Sequence, residues 1–232
     1  MKRLVSTAFI IGIMSVSASA ITPSGGLDLT SKYIWRGTEC ATGPTLFPSG
    51  TLEMGDFSIG AWGAYAFDSS VRELDLTLGY TLGDFSFGIT DYFYPTISDG
   101  DDYFNWKNDE TGHLLEGTVS YSPESCPITL LWSTMFYGDD KNPDGKQAFS
   151  SYFEASYDYD LGDDSALSAA VGASVLKGFY TAYETGFSVI NLALTYSKTL
   201  DLGGASLPLS VSYVINPQLK KSFLSATMGI SF

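Results

Sequence analysis

The chain has 232 residues, 44% hydrophobic, 15% aromatic and only 16% charged, with a formal net charge of −14. That balance excludes disorder, which needs low hydrophobicity and high charge, and 24 Gly with 15 Tyr and 15 Phe is not the composition of a helical bundle. Lys and Arg are too few to cover phosphates, so nucleic acid is excluded as a partner, and two Cys, at 40 and 126, cannot build a disulfide framework.

Residues 1–20 read as a cleaved secretory signal. Lys2 and Arg3 open it, Leu4 to Met14 is apolar, and Ala18-Ser19-Ala20 fits a small-residue cleavage site. The apolar run is too short to span a bilayer core of about 30 Å. Its removal takes away two bases and no acid, leaving residues 21–232 as one domain with a net charge of about −16.

Twelve segments then show the two-residue period of strands, separated by clusters of Gly, Asp, Asn, Ser and Pro. They are predicted at 26–37, 45–54, 57–67, 71–81, 85–94, 112–121, 128–137, 149–159, 166–176, 186–197, 207–215 and 223–232. In the fourth, Leu74, Leu76, Leu78 and Tyr80 oppose Glu73, Asp75, Thr77 and Gly79; in the tenth, Ile190, Leu192, Leu194 and Tyr196 oppose Asn191, Ala193 and Thr195. Alternation alone leaves two architectures open. A soluble β-sandwich turns the apolar face inward, whereas a membrane barrel turns it to lipid.

Three features favour the barrel. Most segments are nine to eleven residues long, the length of a tilted membrane-crossing strand rather than the usual five or six. All twelve alternate, as a sheet without open edges requires. Short connections alternate with long ones: turns at 54–56, 82–84, 122–127, 160–165 and 198–206 on the periplasmic side, and outer loops at 38–44, 68–70, 95–111, 138–148, 177–185 and 216–222. No mature stretch nears 18 uninterrupted apolar residues, so helical spans are not expected. The predicted fold is all-β, a closed antiparallel transmembrane β-barrel of about twelve strands with up-and-down topology.

The last segment resembles the closing strand of Gram-negative outer-membrane barrels. Leu224, Ala226, Met228, Ile230 and Phe232 alternate to the final residue. The resemblance implies that the barrel-assembly machinery reads the strand ending at Phe232, and that the mature protein sits in the cell outer membrane with lipid around it.

Three segments carry residues of chemically active type. His113 is placed at the outer rim, where Asp109 and Glu110 approach it but no Ser lies in register, so a rim histidine is expected rather than a hydrolase site. Asp140, Asn142, Asp144 and Gly145 fit half of an EF-hand loop, but position twelve is Ser151 where a Glu is needed. That segment and Asp99, Asp101 and Asp102 are expected to be solvated acidic loops. Neither a metal nor any cofactor is expected, and Cys40 in an outer loop should be too far from Cys126 in an inner turn to bridge it.

The face turned to the lumen carries the functional signal. It is predicted to hold Asp28, Lys32, Arg36, Glu73, Asp75, Glu116, Tyr152, Glu154 and Asp158. Charges are costly against lipid but tolerated in a watery interior, and six acids against two bases would attract cations. The expectation is a porin-like channel for passive diffusion of small solutes or ions. The alternative is a closed, structural or ligand-binding barrel in which Lys32 and Arg36 pair with those acids and plug it, since twelve strands leave a narrow lumen.

Ser31-Lys32-Tyr33-Ile34-Trp35-Arg36-Gly37 resembles the opening strand of the TorF-type porin family, which reads roughly S-x-Y-x-W/F-R-G. Here Thr38, Glu39 and Cys40 follow, where that family continues with Ser and Gln. The resemblance implies a small porin or channel without naming a solute, and it singles out Arg36 at the outer end of the lumen.

Overall fold

The computed structural model describes residues 21–95, 102–108, 110–203 and 206–232. The predicted signal peptide and Asp99, Asp101 and Asp109 lie outside the described residues. Among those described, the chain is all β apart from a short 3-10 turn at Phe179–Thr181. The barrel strands are β1 (Thr22–Thr30), β4 (Thr45–Met54), β5 (Phe57–Ala66), β6 (Arg72–Leu82), β7 (Phe85–Phe93), β8 (His113–Tyr121) and β9 (Ile128–Gly138), followed by β10 (Ser151–Gly162), β11 (Ser165–Ser174), β12 (Ser188–Asp201), β13 (Ser206–Asn216) and β14 (Lys221–Ser231). Each pairs antiparallel with its neighbours, and β1 pairs with both β4 and β14, so the sheet closes into a twelve-stranded barrel. Closure leaves no unpaired sheet edge.

The pleat decides the question that alternation left open. On β6, Leu74, Leu76 and Leu78 are 40%, 41% and 52% exposed, while Glu73, Asp75 and Thr77 on the other face are 8%, 8% and 5% exposed. The apolar residues therefore face outward and the acids inward, the reverse of a soluble sandwich. The same outward exposure recurs at Ile59, Ile89, Val119, Leu194, Val211 and Ile230, making a continuous apolar belt far larger than a soluble monomer carries.

Both termini of the barrel and the tight turns Gly55-Asp56 and Gly83-Asp84 lie at one end, here the turn end. The longer connections lie at the other, the loop end. Outward aromatic pairs such as Phe85–Tyr121 (ring centroids 4.8 Å apart) and Phe57–Tyr80 (6.3 Å) gather near the turn end. Exposed Tyr65, Phe67, Phe104 and Trp106 gather near the loop end. Two such bands are what an interfacial aromatic girdle requires.

One predicted strand differs. The segment 26–37 does not run straight on through the wall: β1 ends at Thr30, and the chain turns inward to form a separate hairpin of β2 (Tyr33–Trp35) and β3 (Thr38–Ala41). The predicted outer loop 38–44 is thus largely inside the barrel. Both halves alternate, so periodicity could not separate them. The break is made by the Thr30 hydroxyl, which donates to the Lys32 carbonyl (3.1 Å), and by Ser225, whose hydroxyl donates to the same carbonyl (2.8 Å).

Candidate functional site

The hairpin is built around Arg36-Gly37, whose φ values of 49° and 77° place both central residues in the left-handed region that a two-residue hairpin turn uses. Gly37 is required twice over, because a Cβ there would also lie 1.9 Å from the Ile190 carbonyl oxygen. Asn216, on β13, fixes the turn by donating from Nδ2 to the Gly37 carbonyl (3.0 Å). The hairpin is thereby held across the loop-end half of the lumen. Tyr33 packs on Phe47 of β4 and Trp62 of β5, and Trp35 packs on Tyr92 of β7 (5.7 Å).

At the tip, Arg36 forms a two-pronged pair with Glu116 of β8: Nη1 to Oε2 at 2.5 Å and Nη2 to Oε1 at 2.8 Å. Nη1 also donates to the Tyr180 hydroxyl, brought in by the connection between β11 and β12. The guanidinium lies over the rings of Trp35 (4.6 Å) and Tyr152 (4.7 Å), and the Tyr92 hydroxyl donates to Glu116 Oε1 (3.1 Å). The Glu116 side chain is 1% exposed and that of Arg36 12%. A buried, bidentate ion pair with its remaining oxygens satisfied has one preferred geometry, so it locates the hairpin as well as neutralising it.

The other predicted lumen residues fall on the inner face but not in one cluster. Lys32 is not on β1; it lies at the base of the hairpin and pairs with Glu39 of β3. Arg36, likewise, is a hairpin residue and not a wall residue. Glu73 accepts from the hydroxyls of Tyr33 (3.0 Å) and Tyr94. One residue pair further down β6, Asp75 keeps Oδ1 without a partner among the described residues. Glu154 accepts from the Tyr152 hydroxyl and from Asn191 Nδ2 (3.1 Å). Asp158 accepts from the Ser168 hydroxyl, and Asp28 lies partly buried on β1, paired with Phe47 of β4 and Gly229 of β14. Among the described residues, the lumenal ion pairs are Lys32–Glu39 and Arg36–Glu116. Asp28, Glu73, Asp75, Glu154 and Asp158 have no cationic partner there.

A cavity of about 300 Å³ opens beside the hairpin at the loop end, walled by Trp35, Tyr94, Phe179, Leu114 and Met135. Glu73, Asp139, Asp140 and Arg72 also face it. Close by, outside the spanning strands, burial together with the Asp140 and Asp139 charges pushes the Tyr183 phenol up to about 12.

His113 faces outward near the loop end. It meets Asp91 of β7 (Nδ1 to Oδ1, 2.8 Å) and the Tyr103 carbonyl (Nε2, 2.7 Å), and Trp106 stacks on it at 3.8 Å. Glu110, an expected neighbour, pairs instead with Lys107 (3.1 Å). Each ring nitrogen faces an acceptor, and among the described residues no hydroxyl nucleophile is one of its partners. In the acidic segment, Asp140 accepts from Ser150 N (2.8 Å) and Oγ (2.5 Å), while Asn142 Oδ1 accepts from Asp144 N and Lys146 N (3.0 Å each). These carboxylate and amide oxygens close the loop on itself, and no group of three acidic, His or Cys side chains among the described residues could hold a metal. Both cysteines are free, Cys40 on the inward hairpin rather than in an outer loop.

A family model described as "Bacterial protein of unknown function (Gcw_chp)" matches residues 15–223. The chain belongs to this family. Gcw_chp carries no porin name, and no curated protein matches the chain. Among solved structures, it is similar to the NanC porin (9% identity, 92% of this chain and 99% of that one, TM-score 0.47). It is also similar to an outer membrane channel from Pseudomonas putida F1 (13%, 95% and 99%, 0.42) and an anion-selective porin from Comamonas acidovorans (10%, 91% and 98%, 0.34).

The residues that sequence reasoning missed are Trp35, Glu39, Tyr92 and Tyr180, the partners that hold the charged residues inside. Gly37 directly after Arg36 was the one signal of a turn there.

Proposed function

We propose that this protein is a porin-like channel of the Gram-negative outer membrane, passing small solutes by passive diffusion and preferring cations. The observation that carries the reading is a closed barrel whose apolar belt faces outward while its acids face inward. Such a belt suits lipid, and the five acids without cationic partners would make a watery lumen attract cations. The hairpin makes the loop end the narrow end, facing the cell exterior, so conductance should be low and the size limit small. Residues 1–20 would export the chain and be cleaved, leaving 21–232, and the strand ending at Phe232 would be read by the barrel-assembly machinery. No enzymatic role is proposed. The TorF-type resemblance belongs with this reading.

The hairpin also favours a second reading, a closed barrel that binds a ligand without conducting. Liposome swelling separates the two. Vesicles holding the folded protein should swell in small cationic and neutral solutes and exclude larger ones. Vesicles no more permeable than protein-free ones, with a folded barrel, would support the closed reading.

A further inference from the structure

We infer that the loop-end cavity beside the hairpin is a binding site for a small organic ammonium ion with an apolar body. A cavity of about 300 Å³ is at the lower end of ligand-site volumes and suits a small molecule. Three aromatic side chains from three parts of the chain meet there: Trp35 from the hairpin, Tyr94 just beyond β7, and Phe179 from the β11–β12 connection. Leu114 and Met135 add apolar wall. Ring faces carry negative potential and attract an ammonium group; the Arg36 guanidinium already lies over Trp35 (4.6 Å), so Tyr94 and Phe179 carry most of this attraction.

The charge balance points the same way. Three carboxylates, Glu73, Asp139 and Asp140, face the cavity against one guanidinium, Arg72, which is exposed at the rim. Lys141 hydrogen-bonds Gln147 (3.3 Å) and its charge also acts on Asp139, so the excess negative charge rests on Glu73 and Asp140. Glu73 and Asp140 are 8% and 2% exposed, and their hydrogen bonds come from neutral donors, so neither has a neutralising cation among the described residues. A buried carboxylate with hydrogen bonds but no counter-charge is improved by an arriving cation, and an anion entering the same space would be repelled. Among the described residues these acids do not gather into a group that could hold a metal, which fits a diffuse organic cation better than a bare metal ion.

The inference goes beyond the channel reading, since binding here needs no conduction. The mature protein, folded in detergent, is titrated calorimetrically with benzyltrimethylammonium chloride and with sodium phenylacetate, an aromatic anion of similar size. The ammonium should bind at least about tenfold tighter, and Glu73→Gln, which keeps the acceptor for Tyr33 but removes the charge, should weaken it about tenfold. Absence of binding, equal affinity for the two probes, or an unaffected Glu73→Gln overturns the assignment. Should Glu73→Gln not fold, Asp139→Asn on the exposed rim takes its place, with unchanged affinity again the contrary result. A channel that conducts without binding sinks this inference alone, and a barrel that binds without conducting sinks only the channel reading.

Discussion

Glu116→Ala tests whether the hairpin is held in the lumen by its ion pair. The substitution removes both carboxylate contacts to Arg36 (2.5 and 2.8 Å) and leaves a guanidinium, 12% exposed, with the Tyr180 hydroxyl and the rings of Trp35, Tyr152 and Tyr180. Removing one partner of a buried pair costs about 3–5 kcal/mol, because the other charge stays desolvated. The cost is relieved when the hairpin leaves its position and Arg36 reaches water. The interactions that still hold the hairpin are the Asn216–Gly37 hydrogen bond, worth about 0.5–1.5 kcal/mol, the Tyr33–Glu73 hydrogen bond, worth about 1.5–3 kcal/mol, and the packing of Tyr33 on Phe47 and Trp62 and of Trp35 on Tyr92. A loss of about 3–5 kcal/mol multiplies the ratio of displaced to inserted hairpin between roughly a hundredfold and a few thousandfold. Planar-bilayer recording should then show larger or strongly fluctuating conductance steps. Arg36→Met combined with Glu116→Leu replaces the pair by apolar groups and should return most of the quiet behaviour, since such exchanges are often close to neutral. If Glu116→Ala folds and its conductance and noise match the unaltered protein, the ion pair does not hold the hairpin.

Gly37→Ala should cost about 1–3 kcal/mol from its left-handed backbone alone, on top of the clash with the Ile190 carbonyl, and lower the thermal unfolding temperature in detergent. An unchanged midpoint would contradict the turn geometry. Replacing 32–42 by a short Gly-Ser linker should leave the barrel closed through β1–β4 and β1–β14 and raise single-channel conductance; an unaltered conductance would place the constriction elsewhere. Trp106→Ala removes the ring stacked on His113, worth about 0.5–1.5 kcal/mol, and should make 102–108 more readily cut by protease than the other connections. Deleting Phe232 should reduce the heat-modifiable, folded fraction recovered from outer membranes while leaving refolding in detergent intact.

Eleven of the twelve wall strands were legible within a few residues because each alternates and most are bounded by turn-forming residues such as Gly55-Asp56 and Gly83-Asp84. Parity assigns Glu73, Asp75, Glu116, Glu154 and Asp158 to the polar face of their strands, since a strand's side chains have a period of two; whether they line an open pore is what the conductance measurements test. The hairpin was not legible: Ser31-Lys32 contains neither Gly nor Pro, and both flanking runs alternate. Nor were the partners. Arg36 meets Glu116 and Tyr180 across 80 and 144 residues of sequence, a distance that no local pattern spans. His113 points the same lesson, for its carboxylate is Asp91, beside it through the Phe93–His113 register of β7 and β8, not the sequence neighbour Glu110.

An open, cation-preferring lumen would show itself in the reversal potential of the purified, detergent-folded protein in a planar bilayer under a potassium chloride gradient. Small stepwise conductances with a reversal potential of cation-selective sign, reduced when Asp75 and Asp158 are replaced by Asn, are the predicted result. A folded barrel that never conducts, or one whose reversal potential is anion-selective, would contradict it.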